Sequence, residues 1–211
     1  MTKATDSAIV FVIDDDSSVR SSLRFLIGTV GLQVECFGST DDFLQRGLPD
    51  TPCCLVLDVR LHGSSGLDFQ RELSVRNIRI PIIFITGYGD IPMSVSAMKS
   101  GAVEFLTKPF RDQELLDAVQ TALERDRTRR AVENEVSEIQ KRFRLLSSRE
   151  QEVISMVVSG MLNKQIAGAL GTAENTVKVH RSRAMEKMQA QSLADLVRMI
   201  ERLKLRSAKG M

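Results

Sequence analysis

Short, wholly apolar runs alternate with polar helix-forming segments over the first half of the chain. Ile9-Val10-Phe11-Val12-Ile13, Cys53-Cys54-Leu55-Val56-Leu57 and Ile82-Ile83-Phe84-Ile85 each have the length of a strand covered on both faces of a parallel sheet. The pattern predicts strands over 9–13, 32–36, 53–58, 81–85 and 103–106, with helices near 17–29, 39–46, 66–75 and 90–100. Five strands with intervening helices predict a right-handed, doubly wound parallel α/β sheet. Each run ends on polar chemistry. The first runs into Asp14-Asp15-Asp16, the third into Asp58, the fourth into Thr86, and the last into Thr107-Lys108-Pro109. In an open α/β sheet the C-terminal strand ends share one edge, where ligands bind.

The punctuation then changes. From Phe110 to Ser159 there is neither Gly nor Pro, and helix formers dominate. This predicts a long helix that takes part in coupling what it joins, rather than a floppy tether. Within it Val132, Val136, Ile139 and Phe143 recur at 4-3-4 spacing. Such a stripe suits either a short coiled-coil seam or packing on its own domain. A second domain starts near Leu146. Ser147 and Glu150 form a Ser-x-x-Glu capping box ahead of an apolar-periodic helix that stops at Gly160. A short helix over 163–170 stops at Gly171, another spans about 174–188, and Ser192 with Asp195 caps a last one. Short, tightly joined helices of this kind predict a small all-α, four-helix helix-turn-helix domain. The expected division is 1–124, a helical linker over 125–144, and 145–211.

Charge separates the parts. Residues 1–110 carry a net −3, residues 111–144 are neutral, and residues 145–211 carry a net +5, which points the tail toward nucleic acid. Cys36, Cys53 and Cys54 lie in strand-like apolar runs without metal-ligand spacing, as expected of reduced thiols in a cytoplasmic protein. No signal peptide is visible, and no apolar stretch approaches the roughly 20 residues needed to cross a bilayer, so no membrane role is expected.

The converging strand ends describe a site for a divalent cation and a phosphoryl group. A carboxylate is a poor nucleophile unless the phosphoryl charge is neutralised, which Mg²⁺ does when held by one or two carboxylates. Asp14 and Asp15 suit the cation, and Asp58 is the candidate acceptor. Lys108 is a point charge for phosphoryl oxygens, and the Thr86 hydroxyl can donate to one. Gly87 leaves room for the group. Lys108-Pro109 is a candidate cis bond, because a tight turn must aim Lys108 back over the sheet edge.

These motifs resemble the receiver domains of bacterial response regulators from residue 8 to about 125. They are Val12-Ile13-Asp14-Asp15-Asp16, Leu55-Val56-Leu57-Asp58, Ile85-Thr86-Gly87 and Phe105-Leu106-Thr107-Lys108-Pro109-Phe110. The resemblance implies a flavodoxin-like fold and transfer of a phosphoryl group to Asp58 from a sensor histidine kinase. It implies Mg²⁺ held by Asp15, Asp58 and the Arg60 carbonyl, with Asp14 acting through water, and Thr86 and Phe105 as a switch pair. The family's usual Pro after the acceptor is replaced by His62, read as an exposed loop histidine without a catalytic role.

Leu146-Ser147-Ser148-Arg149-Glu150, Asn163-Lys164-Gln165-Ile166-Ala167 and Thr176-Val177-Lys178-Val179-His180 resemble the LuxR-type output domain. The whole chain is thus similar to the FixJ and NarL group. Helical spacing expects Val177, His180, Ala184 and Met188 to face a core, and Lys178, Arg181, Ser182 and Met185 to lie on another face. The resemblance matches Lys178, Val179 and Ser182 to base-reading positions. Lys164, Thr176, Arg181 and Arg183 are candidate phosphate contacts. The family often has Ser or Thr as the recognition-helix cap where Ala173 stands, and Thr172 is the candidate to take over that task here. Implied partners are double-stranded promoter DNA, a second copy of the chain on phosphorylation or DNA binding, and RNA polymerase. No turnover enzyme is expected.

Two other readings compete. Asp14-x-Asp16-x-Ser18 mimics haloacid-dehalogenase-type phosphatases, with Asp14 as nucleophile and Asp16 as acid/base. A phosphorylation-independent DNA-binding dimer would need none of the acid set. A flavin fold is disfavoured, since the acids after the first strand would repel an FMN phosphate.

Overall fold

The structure, a computed structural model, describes residues 8–209, and the outer limits of the expected domains at residues 1 and 211 lie outside them. The chain divides between Arg130 and Ala131 into two compact units.

In the first unit, strands β1 (Ile9–Ile13), β2 (Gln33–Phe37), β3 (Cys53–Asp58), β6 (Ile82–Thr86) and β7 (Glu104–Thr107) form one parallel sheet in the order β2-β1-β3-β6-β7. The three central strands are buried along their whole length. Their β-branched and aromatic side chains alternate between two cores. Ile9, Phe11, Ile13, Leu55, Leu57 and Phe84 point to the face covered by α2 (Thr40–Arg46), α3 (Gly66–Val75) and α4 (Ile91–Lys99). Val10, Val12, Val56, Ile83 and Ile85 point to the face covered by α1 (Ser17–Gly28) and the first part of α5 (Asp112–Arg144). Three strands, β2, β6 and β7, start one residue later than the sequence pattern suggests, because the sheet ladder rather than hydropathy sets where pairing begins. A two-stranded hairpin, β4 (Arg60–Leu61) and β5 (Ser64–Ser65), was not expected. Its strands are too short to leave a periodic signal.

Two glycines allow close approaches at the site's edge. A Cβ on Gly66 would sit 2.4 Å from the Asp58 carbonyl oxygen, and one on Gly89 would sit 2.5 Å from Thr107 Cγ2. At the opposite end of the sheet, fully buried Asp126 of α5 accepts hydrogen bonds from Cys53 N at 3.0 Å, Arg130 Nε at 2.6 Å and Arg129. Arg130 also donates to the Pro49 carbonyl at 3.1 Å. This network fixes α5 against the start of β3, and a buried carboxylate of this kind is tolerable only because it is fully paired.

The second unit contains the end of α5, then α6 (Ser148–Val158), α7 (Asn163–Ala169), α8 (Glu174–Met188) and α9 (Leu193–Lys209). The expected capping box is present at Ser147 and Glu150. Gly160 and Gly171 adopt φ of +87° and +61°, the left-handed conformation that stops α6 and α7. Ser192 Oγ accepts from Asp195 N at 3.1 Å, as its capping role requires. Helix α8 begins after Ala173 without a side-chain cap, so Thr172 does not take over that task. The α5 stripe packs within its own unit. Ile139 joins Leu146, Ile154, Ala184, Met188, Leu196 and Ile200 in one core, with Phe143 against it. Val136 is buried as well, while Val132 is exposed, so the 4-3-4 stripe is only partly buried.

Candidate functional site

The strand ends converge as their pattern requires. Asp14 follows β1, Asp58 ends β3 and Thr86 ends β6, and all three are buried. Asp14, Asp15 and Asp58 each offer a carboxylate oxygen within 4.8 Å of the others. Lys108 Nζ reaches between two of them, 2.8 Å from Asp14 Oδ2 and 2.9 Å from Asp58 Oδ2. Lys108-Pro109 is cis, as expected, and Lys108 N extends the β6–β7 ladder by donating to the Thr86 carbonyl at 2.7 Å.

The electrostatics follow from burial. Desolvation raises the Asp14 carboxyl above the ordinary aspartate range, against the hydrogen bonds from Lys108 and Asp16 N. Burial pulls the Lys108 ammonium down, but the hydrogen bonds and charges of Asp14 and Asp58 outweigh it and leave it raised. Three acids facing one ammonium leave an excess of negative charge. The donor set is hard oxygen throughout, and it fits a hard divalent cation that keeps several waters.

The surrounding side chains hold this arrangement. Arg20 Nη1 donates to the carbonyls of Asp14 and Asp15 at 2.7 and 2.9 Å, and Arg60 N donates to Asp58 Oδ1 at 3.1 Å. Thr86 Oγ1 accepts from Tyr88 N at 3.2 Å. Phe105 is half-buried, its ring centroid 6.2 Å from that of Phe84. The Arg60 guanidinium lies 4.4 Å from the centroid of the exposed Tyr88 ring. Arg20 and the Arg60–Tyr88 stack escaped the sequence reading, since no local pattern marks a helix arginine for a backbone clamp. Asp16, the acid/base of the phosphatase alternative, is instead the N-cap of α1. It accepts from Ser18 N at 2.8 Å and Ser18 Oγ at 2.7 Å, and those bonds hold its carboxyl below the usual range.

In the second unit α7 and α8 pack together as a helix-turn-helix pair. Val177, Ala184 and Met188 are fully buried and His180 is half-buried, as their spacing predicts. Thr176, Lys178, Val179, Ser182 and Arg183 are exposed on α8, Arg181 is half-buried there, and Lys164 is exposed on α7. Met185, expected with Lys178, Arg181 and Ser182 on the face away from the core, packs against the core instead. Lys178 Nζ lies 3.2 Å from Glu174 Oε1, one turn earlier.

Residues 10–120 match the family model of the response regulator receiver domain, and residues 144–200 match that of the luxR family of bacterial regulatory proteins. The chain belongs to the response regulators. Nodulation protein W of Bradyrhizobium diazoefficiens is 59% identical over 202 residues, covering 96% of this chain and 89% of its own. FixJ of Azorhizobium caulinodans is 45% identical over 194 residues, covering 92% of each. The solved structure of the response regulator StyR superposes with a TM-score of 0.83 at 47% identity, over 92% of this chain and 98% of its own. This response regulator is therefore a phosphorylation-dependent transcription regulator of the FixJ and NarL group, with a receiver domain and a LuxR-type DNA-binding domain. Neither the phosphatase nor the phosphorylation-independent dimer is favoured by these relationships. No helix among the described residues is long and apolar enough to cross a membrane.

Proposed function

We propose that Asp58 is the phosphoacceptor, and that a sensor histidine kinase is the donor. The observation that carries this reading is the single ammonium of Lys108 held between Asp14 and Asp58 at the strand ends. In the transfer the donor's P–N bond breaks and a P–O bond to an Asp58 carboxylate oxygen forms. Lys108 then stands beside the new phosphoryl oxygens, and the Thr86 hydroxyl donates to one of them. Asp14, Asp15, Asp58 and the Arg60 backbone carbonyl would hold Mg²⁺ there. When bound, the cation supplies neutralisation of phosphoryl charge in a partly dehydrated site. Movement of Thr86 toward the phosphoryl group loosens the packing around Gly89 and lets Phe105 turn, which makes these two residues the switch.

The receiver would span 1–124 and the LuxR-type domain 145–211, and the helix 125–144 between them would couple the two, its end completing the core of the DNA-binding unit. Lys178, Val179 and Ser182 would read base edges, and Lys164, Thr176, Arg181 and Arg183 would contact phosphates. The exposure of all of these but the half-buried Arg181 on α7 and α8 supports this. The protein works in the cytoplasm as a homodimer on promoter half-sites, with RNA polymerase as a further partner. It takes and loses one phosphoryl group rather than turning over a substrate. Incubation with acetyl phosphate and Mg²⁺, followed by intact mass measurement, tests the assignment. The wild type gains one phosphoryl mass and Asp58→Asn does not; an equal gain in the variant removes Asp58 from the role.

A further inference from the structure

The hairpin after Asp58 carries a histidine to the rim of the acidic pocket. Arg60 pairs with Ser65 and Leu61 with Ser64, so His62 and Gly63 form a two-residue turn. Gly63 has φ of +78° and His62 does not have positive φ, the pattern of a type II turn. Proline fits the first corner of such a turn, and His62 occupies that corner here. The hairpin is rooted on the acceptor itself. Gly66 presses on the Asp58 carbonyl, Gly66 N donates to the Val59 carbonyl at 2.8 Å, and Arg60 N donates to Asp58 Oδ1 at 3.1 Å. From this anchored turn His62 Nδ1 pairs with Asp15 Oδ2.

The three carboxylates are thus held from two sides. Lys108 holds Asp14 and Asp58, and His62 holds Asp15, whose side chain is the most exposed of the three. An aspartate at a pocket rim, facing two other acids, is pushed outward by their charge unless a donor fixes it. One oxygen bound to an imidazole leaves the other free, and a cation that keeps most of its waters needs only one.

We propose that His62 is a positioning residue for the divalent cation: it fixes Asp15 by one oxygen and turns the carboxylate toward Asp14 and Asp58, which raises the affinity of the pocket. This rests on the reading of that pocket as the Mg²⁺ site. Donors that orient ligating carboxylates contribute to metal affinity without touching the metal. A proline at the same corner stiffens the turn but offers Asp15 no partner, so this chain exchanges loop stiffness for a held ligand.

Titration of the full-length protein with Mg²⁺, by calorimetry and by NMR of the imidazole rings, tests the proposal. The chain has two histidines, so the spectrum is readily assigned. The His62 side chain is 92% exposed, so its removal leaves the fold intact. His62→Ala should bind Mg²⁺ about 10-fold more weakly than wild type, and His62→Gln, which keeps an N–H donor, should recover part of the loss. The His62 ring signals should shift on Mg²⁺ addition in the wild type and stay still in Asp15→Asn. If wild type binds Mg²⁺ and His62→Ala binds it equally or more tightly, the proposal is overturned while the metal site stands. If the wild type itself does not bind Mg²⁺ at millimolar concentration, the metal reading fails and this role with it.

Discussion

Lys108 Nζ lies 2.9 Å from Asp58 Oδ2, joining the turn after β7 to the end of β3. The same nitrogen is 2.8 Å from Asp14 Oδ2, so removing it leaves two buried carboxylates without their cation. Breaking a fully buried pair costs about 3–5 kcal/mol; with Lys108 partly exposed, Lys108→Met should cost about 2 kcal/mol at neutral pH. Asp14 already sits above the ordinary aspartate range because of burial, and loss of the ammonium raises it further. A folded-state carboxyl pKa above the unfolded value means the folded variant takes up a proton first. Its deficit should therefore shrink as pH falls toward the carboxylate range, and also on adding Mg²⁺. Urea unfolding at about pH 7.5 and about pH 5 measures this. An equal deficit at both would mean that only the packing of the lysine stem was lost.

Glu150 ties the start of α6 to the recognition helix. Its Oε2 accepts from Lys187 Nζ at 2.7 Å and from Ser147 N at 2.8 Å, and the residue is buried. The Lys187 hydrogen bond first, then the Ser147 N–H, holds its carboxyl below the ordinary glutamate range. A folded pKa below the unfolded one gives stability that is complete above the unfolded pKa and lost as pH falls through the folded value. Glu150→Gln keeps an acceptor for Ser147 N but loses the ion pair. The variant should be less stable than wild type by about 0.5–1 kcal/mol at neutral pH, since Lys187 is partly exposed. The difference should close in acid, below the ordinary glutamate range. Denaturant melts of the DNA-binding unit across that span check the sign.

The doubly wound sheet was legible because its central strands are buried on both faces, so each reads as an unbroken apolar run that stops at its functional residue. Asp14, Asp58 and Thr86 could be placed at one sheet edge for that reason, while Lys108, after the half-exposed edge strand β7, was placed by its Lys-Pro motif, whose bond is cis as expected. Arg20, Gly66 and Gly89 were not legible. Arg20 clamps the carbonyls of Asp14 and Asp15 just before it, Gly66 lies against Asp58, and Gly89 against Thr107; such backbone and close-approach contacts leave no mark in the hydropathy pattern. Asp126 was hidden in the same way, as an acid in a helix full of charges whose burial depends on where the sheet begins. Val136 and Ile139 gave a periodicity but not a partner. A stripe at this spacing looks the same whether it meets a second copy or the helices of its own domain, and here the latter claims it.

The exposed face of α8 makes a graded expectation for DNA. Lys178 pairs with Glu174; on the proposed reading it would exchange that carboxylate for a base edge on binding. Lys178→Ala should weaken binding to the specific operator by about 1–3 kcal/mol and relax the preference at one position. Arg183→Ala should weaken specific and random duplexes alike and make the salt dependence shallower by about one unit of slope. Salt titrations on both DNA types separate the two. If Arg183→Ala left the salt slope unchanged, its assignment to a phosphate would be wrong.

The end of α5 belongs physically to the DNA-binding unit, and this changes how that unit should be cut. Ile139 is 4% exposed among Leu146, Ile154, Met188, Leu196 and Ile200, and Glu135 pairs with Arg202 of α9 on the rim of the same packing. A fragment starting at Leu145 removes Val136, Ile139 and Phe143 together and leaves that core open on one side. Fragment 131–211 should therefore unfold cooperatively and bind DNA, while fragment 145–211 should be markedly less stable. Ile139→Ala in the longer fragment should cost about 2–4 kcal/mol, the range for truncating a buried aliphatic side chain. Because Ile139 and Phe143 lie on the same helix just after it, Val136→Pro would break α5 next to the DNA-binding core, so a loss of regulation in that variant would not by itself report on coupling. Urea unfolding of the two fragments decides the point. Equal stability would show that the α5 stripe merely rests on this unit without completing it.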